Sequence, residues 1–259
     1  MEKIQLGDFT NLAKQYVNRP AYDTVLLGEI LKLMGKDLKD ITLADVGAGT
    51  GKLTKVLAEM GINKIYAVEP NAAMREEGIV YTKEFPFIKW MTGSGEETGL
   101  ETDSVNWLTM ASSFHWTDPA KSLPEFYRVL NSHGFITILW NTRNVSASPL
   151  HTEIENCIKK IVPELKRVSS GSQAYTKNWE EVLVSTGHFT NVRFIETDYS
   201  ETMTKERYMN VWRSVNDIQA QAGPERFEQI LLMIEQIIAP LEDVVVPYKM
   251  RSWTAQRIN

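Results

Sequence analysis

The stretch Leu43-Ala44-Asp45-Val46-Gly47-Ala48-Gly49-Thr50-Gly51-Lys52-Leu53 carries an apolar run directly into a glycine-rich loop. The apolar run predicts a buried strand, and the residues after the loop predict the start of a helix. Glycine at such a turn permits positive φ and lets a ligand approach the backbone with no Cβ in the way. We therefore predict a ligand-binding loop between a strand and a helix.

The spacing of the glycines indicates which ligand the loop fits. The loop reads G-x-G-x-G, whereas dinucleotide-binding loops usually read G-x-G-x-x-G, and Lys52 takes the place of the third glycine or alanine. A dinucleotide also needs the helix N-terminus free to receive two phosphates. The spacing therefore favours a nucleoside over a pyrophosphate and disfavours an NAD-dependent oxidoreductase.

Acidic residues stand before the loop and at the end of the next predicted strand. Glu69 follows Gly51 by eighteen residues and closes the run Ile65-Tyr66-Ala67-Val68-Glu69-Pro70. A carboxylate there can accept hydrogen bonds from two vicinal ribose hydroxyls, and the alternative is a solvated strand-end Glu. Pro70 further disfavours the oxidoreductase. Asp45 is placed to orient the loop or to face an ammonium group, or, alternatively, to cap the loop amides.

Short apolar runs alternate with helical patterns between residues 41 and 140, which predicts βαβ units and a mostly parallel sheet. The predicted strands are 41–46, 64–68, 87–91, 105–111, 135–140, 192–199 and 246–257. The predicted helices include 22–33, 119–130, 179–186 and 224–238. Together they predict an α/β, Rossmann-like fold with a seven-stranded mostly parallel sheet, helices on both faces, an antiparallel last strand and a helical lid.

The same pattern predicts one domain over residues 1–259 with three additions to its core. Residues 1–36 form an N-terminal helical flank or lid, and residues 37–141 form the ligand-binding core. The polar, Ser-rich stretch at about 145–178 breaks the βα rhythm and is predicted to be irregular. We expect 142–178 and 200–245 to be lid insertions over the substrate site.

Composition excludes several classes of protein. The formal net charge of -5 argues against a nucleic-acid binder, because affinity for a phosphate backbone needs clustered Lys and Arg. The sequence shows no secretory-signal pattern and no apolar stretch long enough to span a membrane. The single cysteine, Cys157, cannot form an internal disulfide. We expect a cytoplasmic protein with no nucleic-acid or membrane partner and no metal, as a monomer or homodimer.

Several segments together resemble the class I S-adenosylmethionine-dependent methyltransferases, in the small-molecule branch that includes methyltransferase type 11 and trans-aconitate methyltransferase-like proteins. The loop with Glu69 is the specific part of the resemblance. The supporting parts are Phe9, Tyr16, Arg19-Pro20-Ala21-Tyr22, Gly93 to Leu100, Phe114-His115-Trp116, and Tyr127-Arg128-Val129-Leu130 leading to Gly134. The resemblance implies S-adenosyl-L-methionine as cofactor, with S-adenosyl-L-homocysteine as product.

The resemblance also implies which residues bind the cofactor. Ser94 and Gly95 fall beside the adenine, where many relatives carry an Asp, so recognition is expected to depend more on backbone amides and on Glu96. Met74 packs on the adenine or is plain core. Tyr16 and Arg19 close over the amino-acid end of the cofactor, unless Arg19 is exposed without contacts. The remaining expected cofactor-binding positions are Asp45, Gly47, Ala48, Gly49, Gly51, Glu69, Pro70 and Ala111.

The expected chemistry is in-line methyl transfer, in which positioning supplies most of the acceleration. His115 lies just past a central strand and is the candidate base, or else shapes the pocket. Trp116 and Trp140 are expected to wall the substrate cavity, with packing under the insertion as the alternative. Arg143 is a candidate for binding an acidic substrate. Tyr175, Trp212 and Arg213 are further candidates for the cavity wall.

The sequence therefore predicts methyl transfer to a small-molecule acceptor, with O-methylation of an acidic or polar metabolite favoured. A non-catalytic S-adenosylmethionine-binding regulatory or scaffold protein is the first alternative. An NAD-dependent oxidoreductase is the remote alternative.

Overall fold

The computed structural model describes residues 9–167 and 177–259. Across these residues seven strands form one sheet in the order β3-β2-β1-β4-β5-β7-β6. Strand β7 runs antiparallel to both β5 and β6, and the pairings among β1 to β5 are parallel. The predicted Rossmann-like sheet with an antiparallel last strand is confirmed. The strands are β1 Leu43–Val46, β2 Ile65–Val68, β3 Ile88–Met91, β4 Val105–Ala111, β5 Leu130–Arg143, β6 Phe189–Thr204 and β7 Asp243–Arg257.

Helices cover both faces of the sheet. They are α1 Ala13–Tyr16, α2 Thr24–Met34, α3 Lys52–Glu59, α4 Ala72–Tyr81, α5 Pro119–Val129, α6 Pro149–Ile161, α7 Trp179–Val184, α8 Lys205–Arg213 and α9 Asn216–Ile238. Leu26 of α2 and Leu57 of α3 belong to one apolar core. Phe126 of α5 and Trp179 of α7 belong to a second apolar core. Every residue of β1 is buried, as expected of a strand covered on both faces.

The predicted turn at residues 131–134 lies inside β5 as an irregularity. Val105 pairs with Leu130, whereas Trp107 pairs with Phe135, so the intervening residues bulge out of register. His133 has a φ of 60° within this bulge. The turn is therefore present, but the strand begins before it and runs on to Arg143.

The stretch predicted to be irregular contains a 13-residue helix, α6, and that part of the prediction is wrong. Ser148 caps the helix by accepting a hydrogen bond from the backbone N–H of His151 at 3.4 Å, and Pro149 occupies the first helical position. Ile154 and Ile158 are fully buried. Their helical spacing is the signal that the polar composition of the segment concealed.

The second predicted insertion consists of the end of β6, helices α8 and α9, and the start of β7. Helix α9 contains the predicted helix 224–238 and is kinked at Gly223, whose φ is 74°. Buried residues of these elements pack with those of α6 in a third apolar cluster, which includes Met203, Trp212, Ile234 and Val246. The two segments expected as lids thus form one body, and their role as lids stays a prediction.

Candidate functional site

A cavity of about 840 Å³ lies at the carboxyl ends of the parallel strands, where open α/β sheets bind ligands. Its walls come from the ends of β1, β2, β4 and β5, from the N-terminal segment before α2, and from α6, α8 and α9. The volume is in the range of ordinary ligand pockets, roughly 300 to 1,000 Å³. One continuous space therefore joins the glycine loop to the segments that follow the core.

The glycine loop exposes its backbone to this cavity, as predicted. Gly47, Gly49 and Gly51 have φ values of 66°, 58° and 75°, in the left-handed region that favours glycine. A Cβ on Gly47 would lie 2.7 Å from the Ser113 side chain. Gly51 differs from the prediction, because it does not line the cavity; it precedes α3 as its N-cap and faces the Trp90 ring.

Glu69 lines the cavity beside the glycine loop and is only 7% exposed. Oε2 accepts from the Gly49 N–H at 2.8 Å, and Oε1 accepts from the Asn71 N–H at 2.9 Å. Burial raises the pKa of Glu69 above its usual value, while these two amide hydrogen bonds lower it. Each carboxylate oxygen can accept a further hydrogen bond, so Glu69 is oriented and still able to receive ligand hydroxyls. The alternative of a solvated strand-end Glu is wrong.

Asp45 does not line the cavity, and its prediction as a ligand-contacting residue needs correction. Its side chain is buried beneath the loop, where Oδ2 accepts from Thr54 Oγ1 at 2.6 Å and Oδ1 from Thr109 Oγ1 at 2.9 Å. Burial raises its pKa to about 6. It therefore ties β1 to α3 and β4 rather than facing an ammonium group or capping the loop amides.

The other residues expected around the nucleoside lie along the same wall. Those that line the cavity are Ala48, Pro70, Met74, Ser94, Gly95, Glu96 and Ala111. Ser94 Oγ accepts from the backbone N–H groups of Glu96 and Glu97, both at 3.2 Å. Met74 is 5% exposed and also belongs to the wall, so it is both core and cavity lining.

Tyr16 and Arg19 reach the cavity from the N-terminal segment. Arg19 donates from Nε to Ser214 Oγ at 2.9 Å and from Nη2 to the Ser214 carbonyl at 2.8 Å. Its Cζ lies 4.2 Å from the centre of the Tyr16 ring. The alternative of an exposed arginine without contacts is therefore wrong, and Arg19 joins this segment to the residue that follows α8.

His115 does not line the cavity, which counts against its prediction as a base. Its Nδ1 accepts from Trp140 Nε1 at 3.3 Å, which places the ring proton of the neutral imidazole on Nε2. Nε2 is buried and has no hydrogen-bond partner among the residues that the structure describes. Burial, together with the charge of Lys177, lowers the pKa of His115 to about 4. Neither ring nitrogen offers a free lone pair to a substrate proton.

The two tryptophans that were expected to wall the cavity lie in different surroundings. Trp116 is 50% exposed, lines the cavity and lies 6.5 Å from Phe9 between ring centres. Trp140 is fully buried, stacks on Trp179 at 4.6 Å and does not line the cavity. The substrate-wall prediction for Trp140 is therefore wrong, because the strand end directs its ring into the core.

Arg143 lines the cavity at the end of β5. Trp212, also expected in the wall, is buried behind it, with its ring centre 4.2 Å from Arg143 Cζ. Arg213 does not line the cavity and donates to Asn210 Oδ1 at 3.1 Å. Tyr175 lies outside the described residues.

Sequence reasoning missed two groups of wall residues. Tyr22, Ser112 and Asn141 come from segment ends next to predicted positions, and Ser112 has a φ of 55°, which is uncommon for a residue with a side chain. A second group comes from the later segments and includes Glu155, Lys159, Arg167, Asp217 and Tyr248. Arg167 pairs with Glu155 at 2.7 Å and with Asp217 at 3.0 Å. No local pattern marks these residues, since they meet only in the folded chain.

Neither a metal centre nor a membrane span is evident in the described ranges 9–167 and 177–259. No group of three or more His, Cys, Asp or Glu side chains is placed there to hold a metal ion. No helix in those ranges is apolar over a length that could cross a bilayer.

Comparison with known proteins identifies the core. Residues 44–138 match the family model described as a methyltransferase domain. An uncharacterized methyltransferase of Mycobacterium tuberculosis is 35% identical over 126 residues, which are 49% of this chain and 48% of that protein. An uncharacterized methyltransferase-like protein of Schizosaccharomyces pombe is 28% identical over 84% of this chain and 80% of that protein. The chain thus spans about half the length of the first curated relatives that it matches.

A solved structure shows the same fold. A candidate type II methyltransferase from Anaeromyxobacter dehalogenans superposes with a TM-score of 0.63 at 16% identity, covering 91% of this chain and 97% of that one. The sheet topology agrees with this likeness: the chain has the fold of that methyltransferase, and residues 44–138 are similar to a methyltransferase domain.

Proposed function

We propose that this chain, which carries a class I methyltransferase domain, binds S-adenosyl-L-methionine and transfers its methyl group to a small-molecule acceptor. The observation that carries the proposal is Glu69, a buried carboxylate fixed by two backbone amides beside a loop of positive-φ glycines. This pairing of an acceptor for ribose hydroxyls with an exposed backbone suits a nucleoside.

The residues present fit the cofactor. Gly47 and Gly49 line the cavity with backbone alone, and a Cβ on Gly47 would lie 2.7 Å from Ser113, too close for any side chain. Glu69 would hold the ribose, and the wall of Met74 and Ser94 would lie against the adenine. When bound, the cofactor supplies a methyl group on a positively charged sulfur. Lys52, which begins α3, stands where a dinucleotide-binding loop carries its third glycine or alanine.

The contribution of the chain to catalysis is positioning and exclusion of water. Phe9 and Tyr16 pack edge to face at 5.6 Å, and Phe9 packs in the same way against Trp116 at 6.5 Å, so aromatic rings cover part of the cavity. In-line displacement requires no base when the acceptor is already a nucleophile. The proposal therefore assigns no proton transfer to His115.

We expect the acceptor to occupy the part of the cavity formed by Trp116 and the end of β5. O-methylation of an acidic or polar metabolite is the favoured reaction, because Arg143 is a cation in that wall. Support for this finer assignment comes from residue chemistry alone.

Titration calorimetry with S-adenosylmethionine, S-adenosylhomocysteine and NADH tests the proposal. Both sulfur nucleosides should bind the wild type, and NADH should not. Glu69→Ala should lower the affinity for both sulfur nucleosides by at least about 100-fold. The reason is the loss of two charge-assisted hydrogen bonds of roughly 1.5 to 3 kcal/mol each. Glu69→Gln, which keeps one acceptor oxygen, should show an intermediate loss.

Glu76→Ala is the matched control, since Glu76 is exposed on α4 and does not line the cavity. Binding of NADH in place of the sulfur nucleosides would overturn the proposed function. Equal affinity of wild type and both Glu69 variants for S-adenosylhomocysteine would overturn the role of Glu69.

A further inference from the structure

Three consecutive residues at the end of β5 line the part of the cavity beyond the glycine loop, and each has a buried polar atom without a partner in residues 9–167 and 177–259. Asn141, Thr142 and Arg143 all line the cavity. Within the described part of the chain, Asn141 Oδ1, Thr142 Oγ1 and Arg143 Nε are buried and have no hydrogen-bond partner. Buried polar atoms need partners, and in the wall of a cavity a bound ligand can supply them.

The orientation of Asn141 is fixed by its neighbours. Its Nδ2 donates to the Ala21 carbonyl at 2.9 Å and to the Tyr199 hydroxyl, which itself donates to the same carbonyl at 2.7 Å. A carbonyl can only accept, so the amide nitrogen must face it and Oδ1 must face away.

Arg143 carries a positive charge, and no acidic side chain of residues 9–167 and 177–259 forms an ion pair with it. Trp212 stacks against it, with 4.2 Å between Cζ and the ring centre, and the Tyr208 ring lies behind at 5.8 Å. The two acids of the neighbouring wall, Glu155 and Asp217, are both engaged by Arg167.

Three further titratable groups next to Arg143, namely Tyr208, Tyr248 and His151, are neutral. Burial raises the pKa values of Tyr208 and Tyr248, so both phenols stay protonated. His151 is 1% exposed, and burial together with the charge of Arg143 lowers its pKa to about 4. Arg143 is therefore a half-buried cation on an aromatic platform, among neutral groups. Such a cation is stabilised by an anionic partner, and a planar guanidinium matches a carboxylate best.

We propose that Arg143 is the specificity-determining residue of an oxyanion subsite, in which it binds a carboxylate of the methyl acceptor, and that Trp212 is its positioning residue. This inference rests on the proposed function for the identity of the ligand as an acceptor. Thr142 Oγ1 lies on the same strand end and can donate to an oxyanion, whereas Asn141 Oδ1 can only accept and would suit a hydroxyl of the same acceptor. The cofactor has a carboxylate of its own, so the test must separate the two sources of this group.

Calorimetry with succinate as probe and succinamide as its neutral counterpart tests the subsite, with S-adenosylhomocysteine present at saturation. Wild type should bind succinate at least tenfold more tightly than succinamide. Arg143→Met should lose this preference, and Arg143→Lys should keep part of it, because the charge remains but the planar fork is lost. Arg193→Met, which changes an exposed arginine of β6, should behave as wild type.

The affinity of Arg143→Met for S-adenosylhomocysteine shows whether Arg143 binds a carboxylate of the acceptor or the carboxylate of the cofactor. The affinity should equal that of wild type if Arg143 serves the acceptor. A loss as large as that for succinate would assign Arg143 to the cofactor and overturn the inference. Failure of wild type to bind S-adenosylhomocysteine, with the succinate preference intact, would overturn the proposed function and leave the anion subsite standing.

His151 gives a second readout that a purely structural role of Arg143 would not produce. The chain has four histidines, so ¹⁵N NMR can follow the ring of His151 through a pH titration. Succinate should raise the pKa of His151 in wild type, because it neutralises the nearby charge, and should leave it unchanged in Arg143→Met. Equal pKa values of His151 with and without saturating succinate in wild type would overturn the inference.

Trp212→Phe should weaken succinate binding while keeping the preference over succinamide.

Discussion

Two carboxylates lie next to the glycine loop, and their surroundings give them different tasks. Glu69 faces the cavity and is held by backbone amides of Gly49 and Asn71. Asp45 faces the core and is held by the hydroxyls of Thr54 and Thr109. The sequence placed both acids near the loop, but only the fold shows which one is open to a ligand.

Asp45 should make stability depend on pH. Burial raises its folded-state pKa to about 6, above the usual value of about 3.9. A raised pKa means that the folded state binds the proton more tightly, so this stabilisation is complete below pH 4 and is lost as the pH rises through 6. The free energy of unfolding of wild type should therefore fall relative to that of Asp45→Asn between pH 4 and pH 6.

Urea denaturation of both proteins at several pH values measures this difference. Asparagine keeps a side-chain oxygen for one of the two threonine hydroxyls and cannot ionise, so it is the conservative variant. A difference in unfolding free energy that stays constant from pH 4 to pH 7 would contradict the account of Asp45.

His115 should titrate far below the range of a general base. Burial and Lys177 lower its pKa to about 4, and its Nδ1 accepts from Trp140. A ¹H-¹⁵N NMR titration should show a neutral imidazole protonated on Nε2 from pH 6 upward. A pKa near 6.5, or a proton on Nδ1, would restore His115 as a candidate base.

At the scale of elements, cationic side chains hold the N-terminal segment, residues 9–22, against the cavity. They donate hydrogen bonds to its backbone carbonyl groups. Lys52 at the start of α3 donates from Nζ to the Val17 carbonyl at 2.8 Å. Arg207 of α8 donates from Nε to the Asn18 carbonyl at 3.1 Å. Arg19, within the segment, binds Ser214. The segment is thereby joined both to the cofactor core and to the later helices.

Lys52→Met should loosen this segment without unfolding the core. The variant loses the hydrogen bond to Val17, and hydrogen exchange in residues 13–22 should rise by about tenfold, the effect of roughly 1.5 kcal/mol. Lys55→Met is the matched control, because Lys55 lies over the same Tyr81 ring but pairs with Glu84. Mass spectrometry of exchanged peptides measures the hydrogen-exchange rate of this segment in both variants. Equal exchange in the two variants would show that Lys52 does not fasten the segment.

Elements of the core could be predicted from the sequence because each has a local signal. The strands that end at Val46, Val68 and Ala111 are short apolar runs, and their ends appear where the sequence predicts them. Helix α6 was not predicted, because most of its residues are polar and the segment around it is rich in Ser. Its apolar stripe, Leu150, Ile154, Ile158 and Ile161, does pack on one cluster at helical spacing.

At the scale of the whole molecule, the cavity divides into a part that the sequence predicts and a part that it does not. The glycine loop, Glu69 and the wall of Ser94 to Glu96 follow one another in the βα core, so their positions follow from topology. The wall of Arg143, Glu155, Arg167 and Tyr248 draws on segments more than a hundred residues apart. Such a wall depends on packing of α6, α8 and α9, which carries no short-range pattern.

The central claim is that the buried carboxylate beside the glycine loop holds a nucleoside. A crystal structure of the full chain grown with S-adenosylhomocysteine tests this claim most directly. The account predicts both ribose hydroxyls within hydrogen-bond distance of Glu69, roughly 2.5 to 3.0 Å, and the thioether sulfur turned toward the end of β4. A nucleoside bound elsewhere, or a ribose that makes no contact with Glu69, would contradict it.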